Sequence, residues 1–85
     1  MLTSVILTVR AEQSGIEHDM ELPANIPGAE LCGRLLAALK NLDEQVFSTA
    51  EKINIRIERS GRLLGEEQTL EEAEVWDGSI ITAVK

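Results

Sequence analysis

The sequence predicts an α+β fold, a mixed sheet of about five strands with one main helix packed across it. Three observations carry this: strand-type runs at both ends of the chain, one central stretch with apolar residues at helical spacing, and turn residues at the junctions between them. Val5, Leu7 and Val9 alternate with Ile6, Thr8 and Arg10, which puts one face of a first strand on a core. Gln13-Ser14-Gly15 supplies a turn. Beyond it Ile16, His18, Met20 and Leu22 alternate with Glu17, Asp19 and Glu21, so the second strand closes a hairpin with an acidic outer face. Asn25 is placed to cap the next element and Pro27 suits a first helical turn. Leu31, Leu35, Leu39 and Leu42, with Cys32 and Leu36 beside them, then mark an amphipathic helix that runs to about Asn41.

Residues 43 to 51, from Asp43 to Glu51, are polar except for Val46, Phe47 and Ala50, and read as a loop or single turn whose Phe47 plugs one end of the core. Ile53, Ile55 and Ile57 alternate with Asn54, Arg56 and Glu58 as a third strand, and Ser60-Gly61 turns into a short Leu63-Leu64 strand. Thr69-Leu70-Glu71-Glu72 has the spacing of a capping box, and Asp77-Gly78 leads into a last strand from Ile80 to Val84. A hairpin, a crossing helix, a second hairpin and a final strand are the elements of the β-grasp, with the first and last strands parallel at the centre of the sheet. No repeat or linker interrupts them, and residues 1–85 are expected to form one domain.

Composition narrows the function. With 44% hydrophobic and 27% charged residues the chain has the makeup of a folded protein, and one cysteine leaves no internal disulfide to staple it. A net charge of −7 disfavours nucleic acid, which needs clustered Lys and Arg, and with Phe47 and Trp76 as its aromatic residues there is no platform for stacking bases. The apolar run from Met1 to Leu7 is too short to span a bilayer and lacks the charged flank of a signal peptide. The expectation is a cytoplasmic chain that does not itself insert into a membrane and meets its inner face through a partner or a longer parent chain.

The stretch Ile57-Glu58-Arg59-Ser60-Gly61-Arg62-Leu63-Leu64, followed by Gln68-Thr69-Leu70 and Val75-Trp76-Asp77-Gly78, resembles the second half of ubiquitin-like domains. Leu22-Pro23-Ala24-Asn25-Ile26-Pro27 with Glu30-Leu31, together with Thr69-Leu70-Glu71-Glu72-Ala73 and Asp77-Gly78, is similar to the YukD-like ubiquitin-like family of bacterial type VII secretion systems. The resemblance implies a β-grasp that acts by protein contacts and without catalysis or cofactor. It would be a cytoplasmic accessory protein, or the cytoplasmic N-terminal domain of a multi-spanning component of the secretion machine. The sequence departs from the pattern at Glu74, where many relatives carry Gly. An alternative of another class, a covalent modifier or sulfur carrier, requires a diglycine tail, whereas this sequence ends Thr82-Ala83-Val84-Lys85.

Candidate chemistry is sparse. His18 shares its strand face with Met20 and Leu22 and reads as a half-buried sheet residue. Cys32 lies in the first turns of the helix, where the dipole could lower a thiol pKa, although a small core residue is commoner there. One His and one Cys on different elements do not make a metal site or a nucleophile with its base, and Gly61, Gly65 and Gly78 are too scattered to cradle a phosphate. The cluster Glu66, Glu67, Glu71, Glu72 and Glu74 either steers a basic partner or is a solvated loop, the simpler reading. Trp76 either anchors a partner or covers the edge of the core.

Strand parity offers the best interaction surface. If Val5, Leu7, Val9, Ile81 and Ala83 face the helix, then Ile6, Thr8, Ile80, Thr82 and Val84 face solvent on two adjacent central strands, flanked by Arg10, Asn54 and Arg56. The predicted protein-binding residues are therefore Ile6, Thr8, Arg56, Trp76, Ile80, Thr82 and Val84, on the sheet face that carries partner contacts in the ubiquitin-like domains this chain resembles.

Overall fold

A computed structural model describes residues 3–42 and 44–85. Met1 and Leu2 of the N-terminal apolar run, and Asp43 of the expected loop, lie outside the described residues. The elements are β1 (Ser4–Ala11), β2 (Glu17–Pro23), α1 (Gly28–Leu42), α2 (Glu44–Phe47), β3 (Asn54–Ile57), β4 (Arg62–Leu63) and β5 (Ile80–Val84). They form a five-stranded mixed sheet in the order β2-β1-β5-β3-β4. β1 and β5 run parallel at its centre, with Thr8 opposite Ile80 and Arg10 opposite Thr82, as the β-grasp requires.

Alternation decides which side of the sheet is dry. Val5, Leu7, Val9, Ile55, Ile81 and Ala83 are buried, and the α1 stripe Leu31, Leu35, Leu39 packs into the same core, with Phe47 of α2 fully buried at one end. The expected loop over residues 43 to 51 thus contains a short helix, and the predicted plug is in place. Ile16 lies just outside β2 and is exposed, and its carbonyl accepts from the Ala11 N–H that closes the hairpin.

The two capping signals in the sequence have different outcomes in the fold. The capping box forms in both directions: Glu72 N–H donates to Thr69 Oγ1 at 3.1 Å, and Thr69 N–H donates to Glu72 Oε1 at 2.9 Å. Asn25, by contrast, does not cap α1, which starts at Gly28 with Leu31 N–H donating to the Pro27 carbonyl. A tertiary contact serves instead, since Ala29 N–H donates to the Glu66 carbonyl at 2.9 Å.

Candidate functional site

The face of the sheet away from α1 is built in rows by the strand register. Glu17, Arg10, Thr82, Arg56 and Leu63 make one row across all five strands, and Asp19, Thr8 and Ile80 make the next. Ion pairs hold the first row. Arg10 Nη2 lies 3.0 Å from Glu17 Oε2, while Arg56 reaches Glu12 Oε2 through Nη1 at 2.8 Å and Glu58 Oε1 through Nε at 3.2 Å. These two carboxylate partners hold the Arg56 guanidinium above its ordinary pKa. The Thr82 hydroxyl also donates to Glu58, and that bond, ahead of the Arg56 contacts, pulls the Glu58 carboxyl below its ordinary value.

This network corrects the expectation for Thr82, which is not open to solvent but 1% exposed. Its two row neighbours are arginines whose long stems cross the face toward Glu17, Glu12 and Glu58, and those stems exclude water from the residue between them. Thr8, Arg56 and Val84 face outward but are half-buried, and the Thr8 hydroxyl donates to Asp19 Oδ1 at 2.8 Å.

Away from Leu63 on β4, the exposed apolar part of the face gathers at one end. Ile6 is 58% exposed, Trp76 45% and Ile80 38%. Two hydrogen bonds bring the turn that carries Trp76 against β1, and a third closes the turn on itself. Ile6 N–H donates to Asp77 Oδ1 at 2.8 Å, Gly78 N–H donates to the Ile6 carbonyl, and the turn is closed by Trp76 N–H donating to Ser79 Oγ. Shallow depressions of about 350 and 390 Å³ flank Gly78, one bordered by Ile6 and the other by Ile80. Leu63, also exposed and opposite outward-facing Arg56, is a member of this face that sequence reasoning missed. Its parity with Arg56 across the second hairpin was the available signal.

The other candidates are structural. His18 is half-buried on the edge strand, and its Nε2 is shielded from water without a hydrogen-bond partner. Cys32 lies in a groove of about 330 Å³ between α1 and β3, away from His18. Burial pushes its thiol above the ordinary value, against the smaller opposing effects of Lys52 and a hydrogen bond from the Ile55 backbone, so the helix position does not activate it. Of the acidic cluster, Glu72 serves the capping box and Glu74 ends the turn that follows it. Among the described residues, no group of three or more His, Cys, Asp or Glu is placed to hold a metal ion, and no helix is long and apolar enough to cross a membrane.

Comparison with known proteins places this fold. The ubiquitin-like domain of the Mycobacterium tuberculosis type VII secretion system protein EccD1 superposes with a TM-score of 0.75 at 24% identity, over 96% of this chain and 98% of that one. The EccD5 ubiquitin-like domain from Mycobacterium xenopi gives 0.74 at 16% identity, over 94% and 91%. A chain of the MycP5-free ESX-5 inner membrane complex gives 0.75 at 24% identity, where this chain covers 20% of that one and is itself covered over 95%. No curated protein matches the sequence. The family described as WXG100 protein secretion system (Wss), protein YukD, matches residues 4–82, and the chain, a ubiquitin-like β-grasp, belongs to that family.

Proposed function

We propose that residues 1–85 act as a non-catalytic protein-interaction module of a type VII secretion machine on the cytoplasmic side of the membrane. The module docks through the end of the outer sheet face formed by Ile6, Ile80 and Trp76. One observation carries the reading: three large apolar side chains, one from β1 and two from the distant segment that leads into β5, stay exposed at one end of a sheet whose central row on the same face is covered by ion pairs. Exposed aromatic and aliphatic anchors beside a charged rim have the composition of a protein contact surface. The family and the solved secretion-system domains of the same fold support the choice of partner class.

The test is capture from membrane extracts of the source cells with the wild-type chain and with Ile80→Asp, the bound proteins identified by mass spectrometry. Wild type should retain components of the secretion machine, and Ile80→Asp should lose them while keeping its circular dichroism spectrum. Unchanged capture by the variant would sink the patch. Wild-type capture without any secretion component would sink the assignment to the machine.

A further inference from the structure

The sheet has two edges of unequal kind. β4 is only two residues long, too short to accept another strand, whereas β2 extends over seven residues. Ala11 N–H donates to the Ile16 carbonyl and Ala24 N–H to the Thr3 carbonyl, so in this antiparallel register the even-numbered residues of β2 exchange their bonds with β1. The N–H and C=O groups of Glu17, Asp19 and Glu21 therefore point away from the sheet, and among the described residues no backbone group bonds to them. The free stretch ends after Pro23, where the Ala24 carbonyl accepts from Glu71 N–H.

The three residues that offer both a free N–H and a free C=O are acidic. Their carboxylates lean back over the sheet, accepting from Arg10 Nε at 3.0 Å, Thr8 Oγ1 at 2.8 Å and Ser4 Oγ at 2.7 Å, which leaves the backbone edge clear. Among the described residues, Arg10 is the cation that pairs with one of these three carboxylates. On the opposite face of the same strand His18 and Met20 are half-buried beside the core.

We propose that the β2 edge takes up, as a sixth strand, an extended partner segment in which Lys or Arg alternates with aliphatic residues. Cross-strand neighbours share a face about 5 Å apart, so the cations would lie against Glu17, Asp19 and Glu21 and the aliphatic residues beside His18 and Met20. A second copy of this chain does not fit: two β2 strands paired about a twofold axis would bring carboxylates against carboxylates, in a chain of net charge −7. The backbone edge of β2 lies one strand beyond Ile6 and two beyond Ile80, so the proposal does not rest on the Ile6–Ile80 end, although Asp19 and Glu21 border it across β1.

The test uses the whole chain, isotope-labelled, with two synthetic hexapeptides of identical composition. One is Lys-Val-Arg-Val-Lys-Val and the other the blocked isomer Lys-Arg-Lys-Val-Val-Val. The alternating peptide should slow amide exchange at Glu17, Asp19 and Glu21 and bind about tenfold more tightly than the isomer, with an affinity that falls as salt rises. Asp19→Lys and, independently, Glu21→Lys should each weaken it by about tenfold, whereas Ile80→Asp should leave it unchanged. Equal binding of the two peptides, protection at other amides, loss of binding in Ile80→Asp, or indifference to both charge reversals would overturn the proposal. Protection of the same amides by raising protein concentration alone would assign the edge to a second copy, and would overturn it as well.

Discussion

The hydroxyl of Thr82 donates to the carboxylate of Glu58 across the outer sheet face, and the threonine is sealed from solvent beneath the contact. Since this bond is the largest cause of the lowered Glu58 pKa, folding and protonation oppose each other at that residue. Folded Glu58 binds its proton less readily than the unfolded chain does. Its contribution to stability is therefore complete above the ordinary value of 4.5 and is lost as pH falls through the lower folded value. Thr82→Val should lower stability at pH 7 by about 1 kcal/mol. Urea midpoints at pH 7 and at pH 3 should show the gap between variant and wild type narrowing in acid, and a gap that stays constant would refute the linkage.

Glu74 adopts a left-handed backbone conformation with φ 59°. Val75 N–H donates to the Leu70 carbonyl at 3.0 Å and Glu74 N–H to the Glu71 carbonyl at 3.1 Å, the two bonds of a Schellman stop, with Leu70 and Val75 both buried. Glycine adopts that conformation without a Cβ penalty, and Glu74 makes its backbone contact whatever its side chain. Glu74→Gly should therefore raise stability by about 0.5–1 kcal/mol. A lowered melting temperature would show that the glutamate side chain contributes more than its backbone strain.

Gly28 and Gly33, both on α1, should respond in opposite directions to the same substitution. A Cβ at Gly28 would stand 2.1 Å from the Gly65 carbonyl oxygen, so the helix and the loop after β4 can meet only at glycine. Gly28→Ala should destabilise by about 1–3 kcal/mol. A Cβ at Gly33 meets nothing within 4 Å, and Gly33→Ala should stabilise by up to about 1 kcal/mol through helix propensity alone. Thermal melts of the two variants decide the matter, and equal signs would contradict the close approach.

Cys32 should behave as a packing residue. Half-buried, with its thiol pKa raised by burial, it should react with iodoacetamide at pH 8 several-fold more slowly than a free cysteine and recover the free rate in denaturant. A native rate at or above that of the free thiol would contradict the burial.

Periodicity carried most of the architecture. The alternation of Val5, Leu7 and Val9 and the leucine spacing of α1 decide which atoms each element must hide, and turn residues separate the elements, so strand count and topology class were legible locally. Part of the site was legible by the same parity, since Ile6 and Ile80 face outward and remain exposed, as Trp76 does on its turn. Parity states which face a side chain occupies, however, and not what covers it there.

What the sequence by itself determined is thus the order of elements, the composition of the core and the caps that need only neighbouring residues, as at Thr69 and Glu72. Tertiary structure alone decided that Thr82 is dry, that Gly28 must lack a Cβ and that the backbone of Glu17, Asp19 and Glu21 is left open. The physical reason is one of range. Capping and amphipathic patterning act over a few residues, whereas the arginine stems over Thr82, the Gly65 carbonyl against Gly28 and the unpaired side of β2 are set by which distant strands and loops arrive beside them.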